Sequence, residues 1–259
     1  MKTAAIISYS SYHNAYIDRV VKETRKFADY VIVVSHSHFY DGQEDKGLKR
    51  FEGSRYHSAV VPWDSGRTAR QYHNELRRFG YNLLKSKGFG NLGAYFFIDS
   101  DEVQDSKQVI PWLKEVVVEG EDYKMANFWY YRDTCYRADQ VEEGAVLVSK
   151  ATLESADIDW FGPRERENYS KKWNYKSSYN NKVLGHHYSW AGTKAMLLRK
   201  VQSWGHNADG VDWEAMIKEE FTHGFQGCPF RPNYTFQKVE PYVKFTVNRN
   251  NGPYKGPTI

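Results

Sequence analysis

The stretch AYFFIDSDEVQD, residues 94–105, joins a buried-strand pattern to a cluster of acids. Five apolar side chains in a row lead directly into Asp99, Asp101 and Glu102. Because side chains alternate along an extended chain, Asp99 and Asp101 share one face, while Glu102 lies on the other and orients them. Asp105 is expected to cap the next helix. The pattern predicts either a strand that ends in a solvated turn or a strand that delivers acids to the floor of a site.

The segments before this stretch alternate between strand-like and helical patterns. Apolar runs at 4–9, 29–37, 57–63 and 94–102 are typical of strands, and 14–28 and 67–88 have helical spacing. This order predicts a parallel sheet covered on both faces, in which ligands bind beyond the carboxyl ends of the strands. The polar residues that follow those strands should therefore meet at one rim and contact a ligand: Ser8, Tyr9, Ser35, His36, Asp99 and Ser100.

The pattern changes after residue 105. A helix is expected at 106–118, two antiparallel strands at 123–131 and 144–150, and further helices at 193–205 and 211–225. Residues 155–185 read as a loop region over the site. The predicted fold class is α/β, with a mixed sheet that is mostly parallel in its N-terminal half and flanked by helices.

Composition places the chain among globular proteins. Of its 259 residues, 41% are hydrophobic and 26% are charged, and the net charge is +4. Such a mild positive charge suits a phosphate-bearing ligand or a nucleic acid. Cys135 and Cys228 are far apart and lack metal spacing, which favours free thiols in a reducing compartment. No run approaches the roughly 18 apolar residues of a membrane helix, and the N-terminus does not resemble a signal peptide. We expect a soluble, cytoplasmic protein, in the host cytoplasm if it is viral.

The two aspartates predict a metal site. Neighbouring carboxylates are hard to keep charged without a cation, and Mn²⁺ or Mg²⁺ prefers oxygen ligands. These ions also bridge naturally to a diphosphate. We therefore expect a divalent ion at Asp99 and Asp101.

The layout resembles that of the GT-A (Rossmann-like) glycosyltransferases, whose family 2 members carry DxD after this strand. The helix TARQYHNELRRFGYNLL, residues 68–84, is similar to the helix before that strand, with Arg70 near its start. A later segment, GHHYSWAGTKAMLLRKVQSWGH at 185–206, resembles a motif of the family 17 β-1,4-N-acetylglucosaminyltransferases and related viral and bacterial proteins. The positions that match it are His187, Ser189, Trp190, Lys200, Ser203, Trp204 and His206. Cellular family 17 enzymes are membrane-anchored, and no anchor is expected here, so the identity of the acceptor does not carry over.

The resemblance implies a domain plan and a ligand set. Residues 1–225 would form one catalytic domain, with a nucleotide-sugar half at 1–105 and an acceptor half at 106–225, and 226–259 would wrap the surface. His187 would complete the metal coordination of Asp99 and Asp101, although a capping or core histidine is the alternative. Arg70 and Lys200 would contact the donor, and for Lys200 a solvated helix face is the alternative.

The implied reaction moves a sugar from a nucleotide-diphosphate sugar, with a UDP-sugar favoured, to an acceptor hydroxyl. The metal would stabilise the leaving diphosphate while the anomeric carbon becomes oxocarbenium-like. An inverting enzyme also needs a carboxylate base. Among the acids of 155–169, we favour Asp159 and Glu165, because they flank the turn at 160–163, a candidate acceptor platform. Asp157 and Glu167 are the other candidates.

The acceptor and the reaction class stay open at this point. A glycan, a lipid or a hydroxymethylated base in DNA, as in phage enzymes, would each offer a hydroxyl. A cluster of basic and aromatic side chains suits a nucleic acid: Lys171, Lys172, Trp173, Tyr175 and Lys176. The alternatives are a noncatalytic nucleotide- or carbohydrate-binding module and a nucleotidyltransferase, although the first strand lacks a glycine-rich phosphate loop.

Overall fold

The computed structural model describes residues 1–155, 157–162, 164, 169–203 and 210–244. Its strands are β1 (Thr3–Tyr9), β2 (Tyr30–His36), β3 (Glu52–Gly53), β4 (Tyr56–Val61), β5 (Ala94–Asp99), β6 (Glu102–Gln104), β7 (Asp122–Arg132), β8 (Tyr136–Ser149), β9 (Trp173–Ser177), β10 (Gly185–Ala191) and β11 (Phe236–Lys238). Its α-helices are α1 (Ile17–Thr24), α2 (Ala69–Leu84), α3 (Ser106–Glu115), α4 (Lys150–Leu153), α5 (Lys194–Gln202) and α6 (Trp213–Glu220).

All eleven described strands belong to one mixed sheet. Nine of them follow the order β3-β4-β2-β1-β5-β8-β7-β10-β6, while β9 pairs with β7 and β11 with β8 outside this path. Strands β4, β2, β1 and β5 are parallel to one another, as predicted for the N-terminal half. Strand β8 then runs antiparallel to β5, β7 antiparallel to β8, and β10 parallel to β7. The predicted fold class, a mixed α/β sheet flanked by helices, is confirmed, and this architecture is consistent with the GT-A (Rossmann-like) fold.

The central strands are apolar on both faces because helices cover both. Along β5, Phe96 and Ile98 pack into the cluster that contains α1 and α3, whereas Tyr95 and Phe97 pack on the α2 side. This two-sided burial explains the continuous apolar runs in the sequence, since an exposed face would show alternation with polar residues. The high aromatic content is accounted for largely by these clusters.

Helix α2 approaches the sheet unusually closely at Gly80. A Cβ atom at this position would lie 2.5 Å from Cγ2 of Ile6 and 3.0 Å from Cγ2 of Val34. The N-terminus of α2 is fixed by Thr68, whose side chain accepts from Gln71 N while Gln71 reaches back, a capping box. The helix is thereby placed with its middle turns beside the carboxyl end of β5.

The C-terminal half contains elements that the sequence patterns do not predict. Strand β9 pairs with β7 within the segment expected to be a loop, and β8 begins at Tyr136, eight residues earlier than the predicted strand. Strand β11 pairs with β8, and Val243 packs in the main core. The domain boundary after residue 225 stays a prediction.

Two further expectations concern the cysteines and the membrane. Cys135 and Cys228 are both free thiols, as predicted. Within the described ranges, no helix combines the length and the apolar character needed to cross a membrane.

Candidate functional site

The polar ends of the parallel strands meet at one rim of the sheet. The register sets Ser8 of β1 beside Asp99 of β5, and Tyr9 beside Ser35 of β2. The chain then turns at Ser100, whose N–H donates to Ser8 O over 2.9 Å. The acids at 99–102 therefore lie at the centre of this rim.

Asp99 is the partly open acid of the cluster, with 18% of its side chain exposed. The Arg77 guanidinium of α2 donates to both carboxylate oxygens, over 3.0 and 3.2 Å. Arg164 lies 3.4 Å from Oδ2, and His73 Nε2 lies 3.9 Å from the same atom. Burial alone would raise the pKa of Asp99, but Arg164 and Arg77 hold it well below its usual range. Asp99 is a fixed anion.

Glu102 is fully buried and anchors the turn. Its Oε2 accepts from the backbone N–H of Asp99 over 2.8 Å, and its Oε1 accepts from Arg164. Burial raises the pKa of Glu102, and the guanidinium of Arg164 opposes that rise. Glu102 thus holds the Asp99 backbone in place. Arg164 itself is buried beside the acids.

Asp101 is enclosed by side chains from two distant parts of the chain. Lys200 Nζ of α5 donates to its Oδ2 over 2.9 Å and to Ser189 O over 2.6 Å. His13 Nε2 lies 3.1 Å from the same oxygen, and His13 Nδ1 lies 2.9 Å from Ser100 Oγ. Although burial would raise it, His13 and Lys200 hold the pKa of Asp101 well below its usual range. Lys200 is buried, so the alternative of a solvated helix face is wrong.

His187 lies at the edge of the same cluster. Its Nε2 is 3.9 Å from Asp101 Oδ1 and 3.9 Å from Glu102 Oε1. Its Nδ1 is buried and has no hydrogen-bond partner among the described residues, and the same is true of Ser8 Oγ. Two buried polar atoms that can bond to a ligand therefore lie beside the acid cluster.

The remaining rim residues have partners outside the acid cluster. The Tyr9 hydroxyl donates to Asn14 and accepts from Lys49 N, and burial raises its pKa to about 12. His36 donates from Nε2 to Tyr72 O over 2.6 Å and stacks on the Tyr72 ring. Ser35 is buried on β2. Arg70 is exposed on α2, on the first turn.

Of the two predicted catalytic bases, only Asp159 lies among the described residues. Asp159 is exposed, and its Oδ1 accepts from Phe161 N over 2.9 Å within a turn. That turn is tied to α2, because Asn74 Nδ2 donates to Phe161 O over 2.9 Å. Glu165 lies outside the described residues, as do Glu167, Trp204 and His206.

Four side chains that shape the site are not predicted from the sequence: His13, His73, Arg77 and the buried Arg164. His73 and Arg77 are four residues apart on α2 and therefore lie on one helix face, a signal that was available. His13 follows β1 in a single helical turn, Ser11–His13. Nothing in the local sequence connects it with Asp101, which is 88 positions away.

The residues present do not fit the expected divalent ion. Within the described ranges, no three His, Cys, Asp or Glu side chains are grouped so as to hold a metal. Asp99 and Glu102 are engaged by arginine, and Asp101 is engaged by Lys200. Each acid that would attract Mn²⁺ or Mg²⁺ is already neutralised by a cation of the protein itself.

Comparisons with known proteins find only remote structural likenesses. No family model matches the sequence, and no curated protein matches it. Among solved structures, the chain is similar to the glycosyltransferase GlyE of Streptococcus pneumoniae, with 9% identity, 86% of this chain and 63% of that chain covered, and a TM-score of 0.35. It is also similar to galactosyltransferase LgtC in complex with donor and acceptor sugar analogs, with 11% identity, 89% and 99% covered and a TM-score of 0.36.

A third likeness is to the inositol-1-phosphate CTP transferase of T. maritima, with 10% identity, 87% and 98% covered and a TM-score of 0.35. Identities and TM-scores this low carry no argument about function. The function therefore has to be argued from the site.

Proposed function

We propose that the chain is a glycosyltransferase that takes a sugar from a nucleotide-diphosphate sugar and passes it to an acceptor hydroxyl. The observation that carries the proposal is Asp99, an ionised and partly open carboxylate at the carboxyl end of a parallel strand. This is the position at which ligands bind in open α/β sheets. The resemblance of the two sequence motifs to glycosyltransferases supports the same conclusion.

The chemistry of Asp99 suits a sugar or ribose hydroxyl. An ionised carboxylate accepts several hydrogen bonds, and charge-assisted bonds to it are stronger than neutral ones. Arg77 and Arg164 support it from behind and keep it ionised, and Glu102 fixes its backbone. A carboxylate held in this way positions a hydroxyl without reorganising, which favours a defined orientation of the donor.

The chain's own residues then have separate roles in the proposal. Asp99 orients the donor, and the cations around it offset negative charge that develops on the leaving diphosphate as the anomeric carbon becomes oxocarbenium-like. A carboxylate accepts the proton of the acceptor hydroxyl if the enzyme inverts. Asp159 and Glu165 remain our candidates for that base, and a UDP-sugar remains the favoured donor.

For the acceptor, we propose a hydroxymethylated base in DNA over a glycan. Lys171, Lys172 and Lys176, at and just before β9, are exposed, and Tyr175 of the same strand is 59% exposed. Exposed lysines bind phosphates, and an exposed aromatic ring stacks on a base. Trp173, which belongs to the same sequence cluster, is buried and contributes no open ring face. Filter binding with duplex DNA across a salt series tests this part, and binding that is absent or insensitive to salt removes the DNA acceptor in favour of a glycan.

The donor is tested by incubating the protein with a panel of nucleotide sugars and measuring release of the nucleoside diphosphate, since slow hydrolysis by water reports on donor use. We expect one donor to be hydrolysed by the wild type. Asp99→Asn should lower kcat/KM at least about tenfold, a loss of about 1.4 kcal/mol of transition-state stabilisation. Asp139→Asn, at an exposed aspartate of β8, is the control and should retain activity.

Two results would contradict the proposed transferase. Release of pyrophosphate from a nucleoside triphosphate and a sugar phosphate would identify a nucleotidyltransferase. Saturable nucleotide binding without any turnover across the panel would identify a noncatalytic module.

A further inference from the structure

We propose that the acid cluster works without a divalent cation, with the ammonium group of Lys200 in the place where a metal was expected. Only the nucleotide part of this inference rests on the proposed function. The inference itself is that the protein's own cations already neutralise the acids, so the cluster binds an anionic ligand and excludes a divalent cation.

The position of Lys200 is the first observation. Its Nζ donates to Asp101 Oδ2 and to the carbonyl of Ser189, and the side chain is buried. An ammonium group has three donors, and two are used by these partners among the described residues. One N–H therefore remains for a ligand oxygen. A compact point charge of this kind is a common phosphate-binding group.

The balance of charge in the cluster is the second observation. Three carboxylates, Asp99, Asp101 and Glu102, are matched within the described residues by three permanent cations that touch them, Arg77, Arg164 and Lys200. His13 also faces Asp101, His73 faces Asp99, and His187 faces Asp101 and Glu102. Without any metal, the cluster thus carries no net negative charge. A divalent cation entering it would be repelled by buried like charges that cannot move into solvent.

The same geometry indicates what removal of Lys200 would create. Asp101 would lose its lysine partner, and its two oxygens would face His13 and His187, with Glu102 beside them. These side chains are not grouped as metal ligands while Lys200 is in place. With Lys200 gone, a carboxylate with imidazole nitrogens is a donor set that suits Mn²⁺ or Zn²⁺ once the side chains close on the ion. The substitution Lys200→Ala should therefore convert a site that needs no metal into one that binds it.

Direct Mn²⁺ binding tests the charge argument without any nucleotide. Mn²⁺ is titrated by electron paramagnetic resonance into the wild type, Lys200→Ala and the control Lys194→Ala, which removes an exposed lysine from the same helix. We expect the wild type and the control to behave alike, and Lys200→Ala to bind Mn²⁺ at least about tenfold more tightly. Wild-type binding as tight as that of Lys200→Ala would overturn the proposal.

Nucleotide binding is the second measurement. UDP and GDP are added in EDTA and in Mn²⁺, and the shift in melting temperature is recorded. For the wild type and Lys194→Ala, we expect the same shift in both conditions, whereas Lys200→Ala should respond only with Mn²⁺. A wild-type shift that disappears in EDTA and returns with Mn²⁺ would overturn the inference. If neither nucleotide shifts any variant, the proposed function fails, while the Mn²⁺ titration still decides the inference.

A second variant covers the case in which Lys200→Ala does not fold, because that change leaves Asp101 buried without its cation. Asp101→Asn keeps the shape and removes the charge, so Lys200 stays available for a phosphate. If Lys200 is the phosphate-binding cation, the Asp101→Asn protein responds to UDP or GDP in EDTA at least as strongly as the wild type. If Asp101 is instead a metal ligand, neither protein responds in EDTA, and Asp101→Asn loses the response that the wild type shows with Mn²⁺.

Discussion

At the scale of single residues, Arg164 determines the arrangement of the acids. Its guanidinium donates to Glu102 and to the carbonyl oxygen of Phe97, and it lies 3.4 Å from Asp99. One buried cation thus joins two carboxylates and the end of β5. Removing one partner of a buried ion pair is strongly destabilising, because the remaining charge is left without compensation.

The substitution Arg164→Met should destabilise the protein severely. Methionine retains much of the apolar length but leaves Glu102 and Asp99 without this cation, which costs about 3–5 kcal/mol of unfolding free energy. Urea denaturation followed by circular dichroism measures the loss.

The matched control is Lys171→Met. Lys171 also pairs with a carboxylate, Asp157, but both side chains are exposed and solvent screens the pair. We expect the midpoint of this control to stay near that of the wild type. A similar midpoint for Arg164→Met would show that Arg164 does not hold the acids.

At the scale of elements, helix α2 carries the cation that supports Asp99. Arg77 reaches the acid because the helix lies close to the sheet, and this approach is possible because Gly80 has no side chain where Ile6 and Val34 touch it. The same helix carries His73 and Asn74 to the rim, where Asn74 contacts the Phe161 turn. One glycine in the helix thus sets the geometry of the site.

The substitution Gly80→Ala should destabilise the protein even though alanine favours helices. Helix propensity alone would gain about 1 kcal/mol, but the added Cβ would lie 2.5 Å from Ile6, and overpacking of a core costs about 1–3 kcal/mol. The shift of α2 should also weaken donor binding by moving Arg77. Thermal denaturation and nucleotide titration measure the two effects. Gly224→Ala is the control, because a Cβ there meets no atom within 4 Å. If Gly80→Ala stabilised the protein, the close approach of α2 to the sheet would be contradicted.

The elements that can be predicted from the sequence are those whose own apolar side chains are buried, because their hydrophobic pattern then shows the element. Strands β1, β2 and β5 are apolar on both faces, so their runs identify a covered parallel sheet, and the rim follows from the direction of the strands. Strands β9 and β11 are short and mostly polar. Strand β9 pairs with the first residues of β7, before its pairing with β10 begins, and β11 pairs with the first residues of β8, before its pairing with β5 begins. The partners of Asp101 could not be read from the sequence either, because Lys200 and His13 reach it only through the assembled sheet.

At the scale of the whole molecule, a buried histidine, His36, and a half-buried one, His186, link stability to acidity. Burial lowers the pKa of His36 to about 4 and that of His186 to about 3. His36 is stacked on Tyr72, and His186 is stacked on Tyr242 and hydrogen-bonded to Tyr130. In both cases, the folded protein holds the neutral imidazole, whereas the unfolded chain protonates at the ordinary pKa.

The free energy of unfolding should therefore fall as the pH falls from about 6.5 to about 4, and His36→Phe should lessen that fall. In this range the unfolded state binds a proton at position 36 that the folded state does not, so stability rises with pH. At about pH 5, the contribution of His36 is about 2 kcal/mol, since one pKa unit corresponds to about 1.36 kcal/mol. Phenylalanine keeps the ring against Tyr72 and does not titrate. Urea denaturation gives the free energy of unfolding at about pH 7 and at about pH 5. The loss of this free energy between the two pH values should be smaller in His36→Phe by about that amount. An unchanged difference would mean that His36 is protonated in the folded protein, and His186 would then have to account for the loss of stability in acid.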